Sequence, residues 1–159
     1  MKGLLIWQKG TMNISMALND IFVDTWAWLA LSNRNDAYHE RAKDGYEEIK
    51  SGGYRMVTSD YVLDEVITAL FRNVAFSTAV RFVESLFSLI KNKELKLERV
   101  NEAKFKAAWS LRKAYRDKPE ISFTDLTSFA LMQELGIKKV FTGDVHFEKV
   151  GLKFEILPK

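Results

Sequence analysis

The chain has 159 residues, 47% of them hydrophobic, which is enough for one globular domain with its own apolar core. It holds no cysteine, which excludes thiolate metal sites, thiol catalysis and disulfides and fits a cytoplasmic location. A formal charge of +3 favours an anionic partner, and no apolar run nears the roughly 20 residues that span a bilayer, so no membrane partner is expected.

Residues 1–19 hold only a short apolar stretch at 4–7, broken by Lys9 and Gly10, too brief for a signal-peptide core. They read as an N-terminal extension, with Met12 and Met16 as alternative starts, ahead of one domain over 20–159. Ile21-Phe22-Val23 is an apolar run that stops at Asp24, the pattern of a buried strand. Trp26, Leu29 and Ala30 start a helix that the turn-prone segment 32–36 interrupts, and a second helix over 39–50 ends at Ser51-Gly52-Gly53. Residues 55–58 make a second strand. Ser59 or Asp60 then caps a helix that carries Val62, Val66, Ala69 and Leu70 on one face.

Residues 76–91 form another amphipathic helix, and the alternation over 95–100 suits a third strand near a sheet edge. A helix over 101–115 places Phe105, Ala108, Trp109 and Leu111 on its apolar side. A charged loop over 116–120 leads to a helix over 124–135 that closes at Gly136. Strands at 139–142 and 153–156 complete the chain. Strands and helices alternate without repeats or linkers, which calls for a parallel sheet covered by helices on both faces.

Four acids fall where such a sheet builds its sites. Asp24 follows the first strand and Asp144 the fourth, and ligands of open α/β sheets gather outside the carboxyl ends of strands. Asp125 opens the helix leading to the fourth strand, and Glu65 lies about one turn into the helix after the second. Carboxylates brought together repel one another, so a cation is needed if they are all to stay ionised. Oxygen donors without cysteine favour magnesium or manganese, which can activate water against a phosphate without a histidine base or a covalent nucleophile.

Each acid also has a plainer role. Ser122-x-x-Asp125 matches a helix capping box, Asp144 suits the cap of a short turn over 145–148, and Glu65 beside Asp64 suits a solvated helix face. Asp24 is harder to explain in this way, because an acid closing a buried strand is costly unless it is paired or liganded.

At these residues the chain resembles the PIN-domain family and, within it, the VapC-type toxins and their stand-alone relatives. The resemblance rests on Ile21-Phe22-Val23-Asp24-Thr25, on Glu65 within the segment 59–66, on Ser122-Phe123-Thr124-Asp125, and on Phe141-Thr142-Gly143-Asp144-Val145-His146-Phe147. It implies a three-layer α/β/α fold with a five-stranded parallel sheet of order 3-2-1-4-5, which would set Asp24 beside Asp144. It also implies a magnesium- or manganese-dependent endoribonuclease with one or two ions per site. Asp24, Glu65, Asp125 and Asp144 would be the metal ligands, and Thr142 a hydroxyl beside them. An RNA substrate, an antitoxin partner and a homodimer follow from the same resemblance.

Two other readings remain open at this point: a PIN-like scaffold that binds RNA or protein without cutting, and an RNA-processing nuclease outside any toxin system. A haloacid-type phosphatase is disfavoured, since Asp24 is followed by Thr25 and Trp26 and no Asp-x-Asp pair forms. His146 reads as turn packing rather than as an acid for the leaving group. Of Trp26 and Trp28, at least one reads as core. Arg34, Arg72 and Arg81 carry no more signal for RNA than any exposed arginine.

Overall fold

The computed structural model describes residues 19–159. Apart from Asn19, the N-terminal extension at 1–19 lies outside the described residues. The elements run β1 (Asp20–Val23), α1 (Thr25–Ser32), α2 (His39–Ser51), β2 (Arg55–Ser59), α3 (Asp60–Asn73) and α4 (Phe76–Lys91). They continue with β3 (Leu95–Glu98), α5 (Glu102–Ala114), α6 (Phe123–Leu135), β4 (Lys139–Phe141), α7 (His146–Lys149) and β5 (Glu155–Leu157).

All strand pairs are parallel, and the sheet order is β3-β2-β1-β4-β5, as the resemblance implied. The chain walks from β1 to one edge through β2 and β3, then returns to the far side of β1 for β4 and β5. Right-handed crossovers place the helices of the first walk on one face and those of the second on the other. β1 is therefore central and buried along its whole length, which explains its unbroken apolar run. The core beneath it includes Phe22, Trp28, Leu126, Phe129 and Phe141.

Helix starts are fixed by short polar side chains. Ser59 accepts from the Val62 amide, Asn101 from the Lys104 amide, and Ser122 from the Asp125 amide. Gly136, at φ 66°, ends α6 in the left-handed region that a residue with a Cβ adopts at a cost.

Three local expectations are adjusted. β3 stops at Glu98 because the Val100 amide turns away to donate to Asp60 Oδ1 at 3.0 Å. β5 starts two residues late because Lys153 adopts a left-handed turn at φ 58°. On α5, Phe105 and Trp109 are exposed rather than core, at 45% and 53%. That helix packs instead through Ala108 and the stem of Lys104, whose ammonium meets Glu134 at 3.2 Å. Phe105 rests edge-on against Phe123, with ring centroids 5.0 Å apart. Among the described residues, no helix is long and apolar enough to cross a membrane.

Candidate active site

Strand order reverses at β1, with β2 on one side and β4 on the other, so the crevice expected of such a sheet opens at their carboxyl ends. Register pairs Val23 with Phe141, which brings the next residues of the two strands together. The Asp24 amide donates to the Phe141 carbonyl at 3.2 Å, and the Thr142 hydroxyl donates to Asp24 Oδ2 at 2.9 Å. The same hydroxyl accepts from the Asp144 amide at 3.0 Å, so Thr142 ties the ends of β1 and β4 into one unit. From the β2 side, Thr58 donates to the Val23 carbonyl at 3.0 Å and accepts from the indole of Trp28 at 3.4 Å.

Asp24 stands at the N-cap of α1 with extended backbone, yet its side chain makes no cap hydrogen bond. Its Oδ1 is buried and has no hydrogen-bond partner among the described residues. A buried carboxylate oxygen left alone is costly unless something else satisfies it.

Asp24, Glu65, Asp125 and Asp144 line one cleft of about 280 Å³, together with Thr25, Glu120 and His146. Glu65 enters from α3 and accepts from the Thr25 hydroxyl at 2.8 Å. Asp125 completes the capping box of α6, and its Oδ2 also lies 3.3 Å from Nδ1 of His146. Asp144 Oδ1 accepts from the His146 amide at 2.8 Å and thereby starts the turn into α7. The capping roles of Asp125 and Asp144 are therefore real and do not remove either carboxylate from the cleft. Glu65 is half-buried, whereas its neighbour Asp64 takes the solvated face.

The electrostatics follow from this crowding. Burial, then the charge of Asp125, pushes Asp24 up from 3.8 to about 7, with Asp144 adding a little. The Thr142 hydroxyl and the nearby Thr25 amide pull the other way. Asp125 is also raised, by burial first and then by Asp144, while the His146 contact lowers it. Without a cation the cleft discourages full ionisation.

The donor set fits a divalent ion on two counts: the orphaned oxygen of Asp24, and the raised carboxyls that a positive charge would return to their ionised form. Asp125, Asp144 and His146 can each offer one ligand atom within 4.8 Å of the others. Carboxylate oxygens in this number suit magnesium or manganese.

Three features were not assigned to the site from the sequence. His146 sits between two of the acids, and its two-residue spacing from Asp144 was the available signal. Glu120, from the charged loop before α6, lies exposed at the rim. Trp26 lines the cleft and covers Gly143 so closely that a Cβ there would fall 2.4 Å from its ring. Trp28 is the core residue of the pair. Arg72 is exposed on α3, and Arg34 and Arg81 border a separate groove of about 860 Å³ that has no acid in its lining.

Residues 21–153 match the PIN domain family. The chain is 34% identical over 139 residues to the 23S rRNA-specific endonuclease VapC20 of Mycobacterium tuberculosis, covering 87% of this chain and 99% of that one. The crystal structure of VapC20, described as a sarcin-ricin loop cleaving toxin, superposes with a TM-score of 0.69 at 32% identity over 82% of this chain and 95% of that one. The VapBC2 structure from Rickettsia felis, bound to a DNA fragment from its promoter, gives a TM-score of 0.65 over 86% of this chain and 96% of that one. At 12% identity that second likeness concerns the fold alone. The strand order, the acids at the carboxyl ends and the match over most of the chain agree: the protein belongs to the PIN-domain family.

Proposed function

We propose that this protein is a divalent-cation-dependent endoribonuclease, the toxin of a toxin–antitoxin pair, and that it hydrolyses RNA to leave a 5′-phosphate and a 3′-hydroxyl. The observation that carries this reading is the buried Oδ1 of Asp24, unpartnered among the described residues, in a cleft shared with Glu65, Asp125 and Asp144. The relationship to VapC20 supports the endonuclease class, and ribosomal RNA is the first substrate to test.

On this reading Asp24 is the central ligand, with Asp125 and Asp144 beside it and Glu65 toward the α3 wall. Magnesium or manganese held there would lower the pKa of a water and offset charge developing on the phosphate. Thr142 fixes the orientation of Asp24 and the position of the Asp144 amide, a supporting role that the two short bonds describe. Thr25 does the same for Glu65. An antitoxin and a second copy of the chain belong to the same proposal. Exposed Phe76, Phe87 and Trp109, 74%, 52% and 53% accessible, offer apolar area for such partners. The absence of cysteine fits a cytoplasmic site of action.

The test is incubation of purified protein with labelled ribosomal RNA, with manganese or magnesium, an EDTA control and Asp24→Asn alongside. Cleavage that needs both the metal and Asp24 supports the nuclease. Metal-independent cleavage, or full activity in Asp24→Asn, contradicts it. Binding of RNA without cleavage under every metal would turn the reading to a non-catalytic scaffold.

A further inference from the structure

We propose that His146 is itself a metal ligand, supplying an imidazole nitrogen to a cation held with Asp125 and Asp144; the inference rests on the divalent-cation reading above and deepens it. Nδ1 of His146 lies 3.3 Å from Asp125 Oδ2 and 3.2 Å from Asp144 Oδ1. Adjacent ligands of an octahedral ion with bonds of about 2.1 Å stand about 3.0 Å apart, so both contacts have the length of a coordination edge. The three donor atoms lie within 4.8 Å of one another, close enough to share one ion. The oxygen of Asp24 that lacks a partner lies in the same cleft, an independent sign that a positive charge belongs there.

The imidazole is held by two local devices. Its own backbone amide donates to Asp144 Oδ1 at 2.8 Å, which locks ligand and neighbouring ligand into one turn. The next residue, Phe147, is buried edge-on against Phe129 at 4.9 Å and pins α7 to the core.

The consequence is a mixed nitrogen and oxygen site. Imidazole favours transition ions, whereas magnesium prefers oxygen alone, so the site should discriminate in favour of manganese and cobalt over magnesium. This chemistry is set by the type of donor and does not depend on how RNA binds.

Pulsed EPR of Mn²⁺ bound to the untagged protein tests the inference directly. The chain has two histidines, and His39 lies outside the cleft, with Nδ1 2.8 Å from the Ala30 carbonyl. The expected result is a ¹⁴N coupling on Mn²⁺ in the unmodified protein that disappears in His146→Gln. Calorimetry on the same samples should show Mn²⁺ affinity falling by at least about tenfold in the variant, the scale of losing even a supporting partner, with a smaller loss for Mg²⁺. Bound Mn²⁺ without nitrogen coupling in the unmodified protein would overturn the inference and leave the metal-dependent reading standing. Coupling that survives in His146→Gln would likewise overturn it. Failure of the unmodified protein to bind Mn²⁺ at all would overturn the metal-dependent reading and this inference with it. The first measurement needs no variant, so a folding defect in His146→Gln cannot mask the answer.

Discussion

The two ends of β1 each bury an aspartate, and the protein treats them in opposite ways. At the amino end, Asp20 receives two hydrogen bonds from Arg55, both 2.7 Å, across the register that pairs these residues in β1 and β2. At the carboxyl end, four residues on, Asp24 has the Thr142 hydroxyl on one oxygen and no partner on the other. The first acid carries its cation within the fold. The second faces other acids, and burial together with Asp125 raises it to about 7. A buried carboxylate that is paired internally serves the structure; one that is crowded by like charge fits a site whose cation comes from outside, as proposed above.

Breaking the internal pair should have the largest effect on stability. Asp20→Ala should cost about 2 kcal/mol, the value of charged hydrogen bonds rather than of a fully buried pair, because Arg55 is 38% exposed and recovers water. Chemical denaturation would measure it, and metal affinity should not change. A variant that kept its stability but lost metal binding would reverse the roles assigned to the two ends.

The pH dependence of the metal-free protein sharpens the contrast further. Folded Asp24 keeps its proton up to about pH 7, against an ordinary value of 3.8, so between these limits the folded state binds more protons than the unfolded one. Stability then falls as pH rises through that window. Thermal unfolding without metal should show a lower midpoint at pH 8 than at pH 5, and manganese should restore more at pH 8. A midpoint that rises steadily with pH would refute the raised Asp24.

Smaller effects come from the residues that position the acids. Thr142→Val removes the bond to Asp24 and the acceptor for the Asp144 amide, and metal affinity should fall about tenfold by calorimetry, with little loss of fold. Gly143→Ala sets a Cβ 2.4 Å from the Trp26 ring, so the ring or the Asp144 loop must move. RNA cleavage should then drop by about tenfold, within the range expected when a catalytic group is displaced by a fraction of an ångström.

Much of this was legible in the sequence, for identifiable reasons. Asp24 stands out because an acid abruptly ends an apolar strand, and the alternation of strands and helices places Asp144 at an equivalent end. Asp20 and Arg55 were not read as a pair because their meeting depends on register between strands 35 residues apart. The approach of His146 to Asp125 and Asp144 is not visible in the sequence, because it depends on the turn that the Asp144 side chain makes with the His146 amide. Phe105 and Trp109 stand exposed on an apolar face of α5, because helical spacing finds such a face without showing what covers it. Capping and a place in the cleft are compatible uses of one aspartate, as Asp125 caps α6 with the same carboxylate that approaches His146.

The most direct test is a calorimetric titration of manganese into the metal-free protein at pH 8, beside Asp24→Asn and Asp20→Asn. Saturable binding is expected for the unmodified protein and for Asp20→Asn, and its loss in Asp24→Asn, whose metal-free unfolding midpoint should not fall. Equal binding by the unmodified protein and Asp24→Asn would contradict the central claim that the carboxyl end of β1 is built around an external cation.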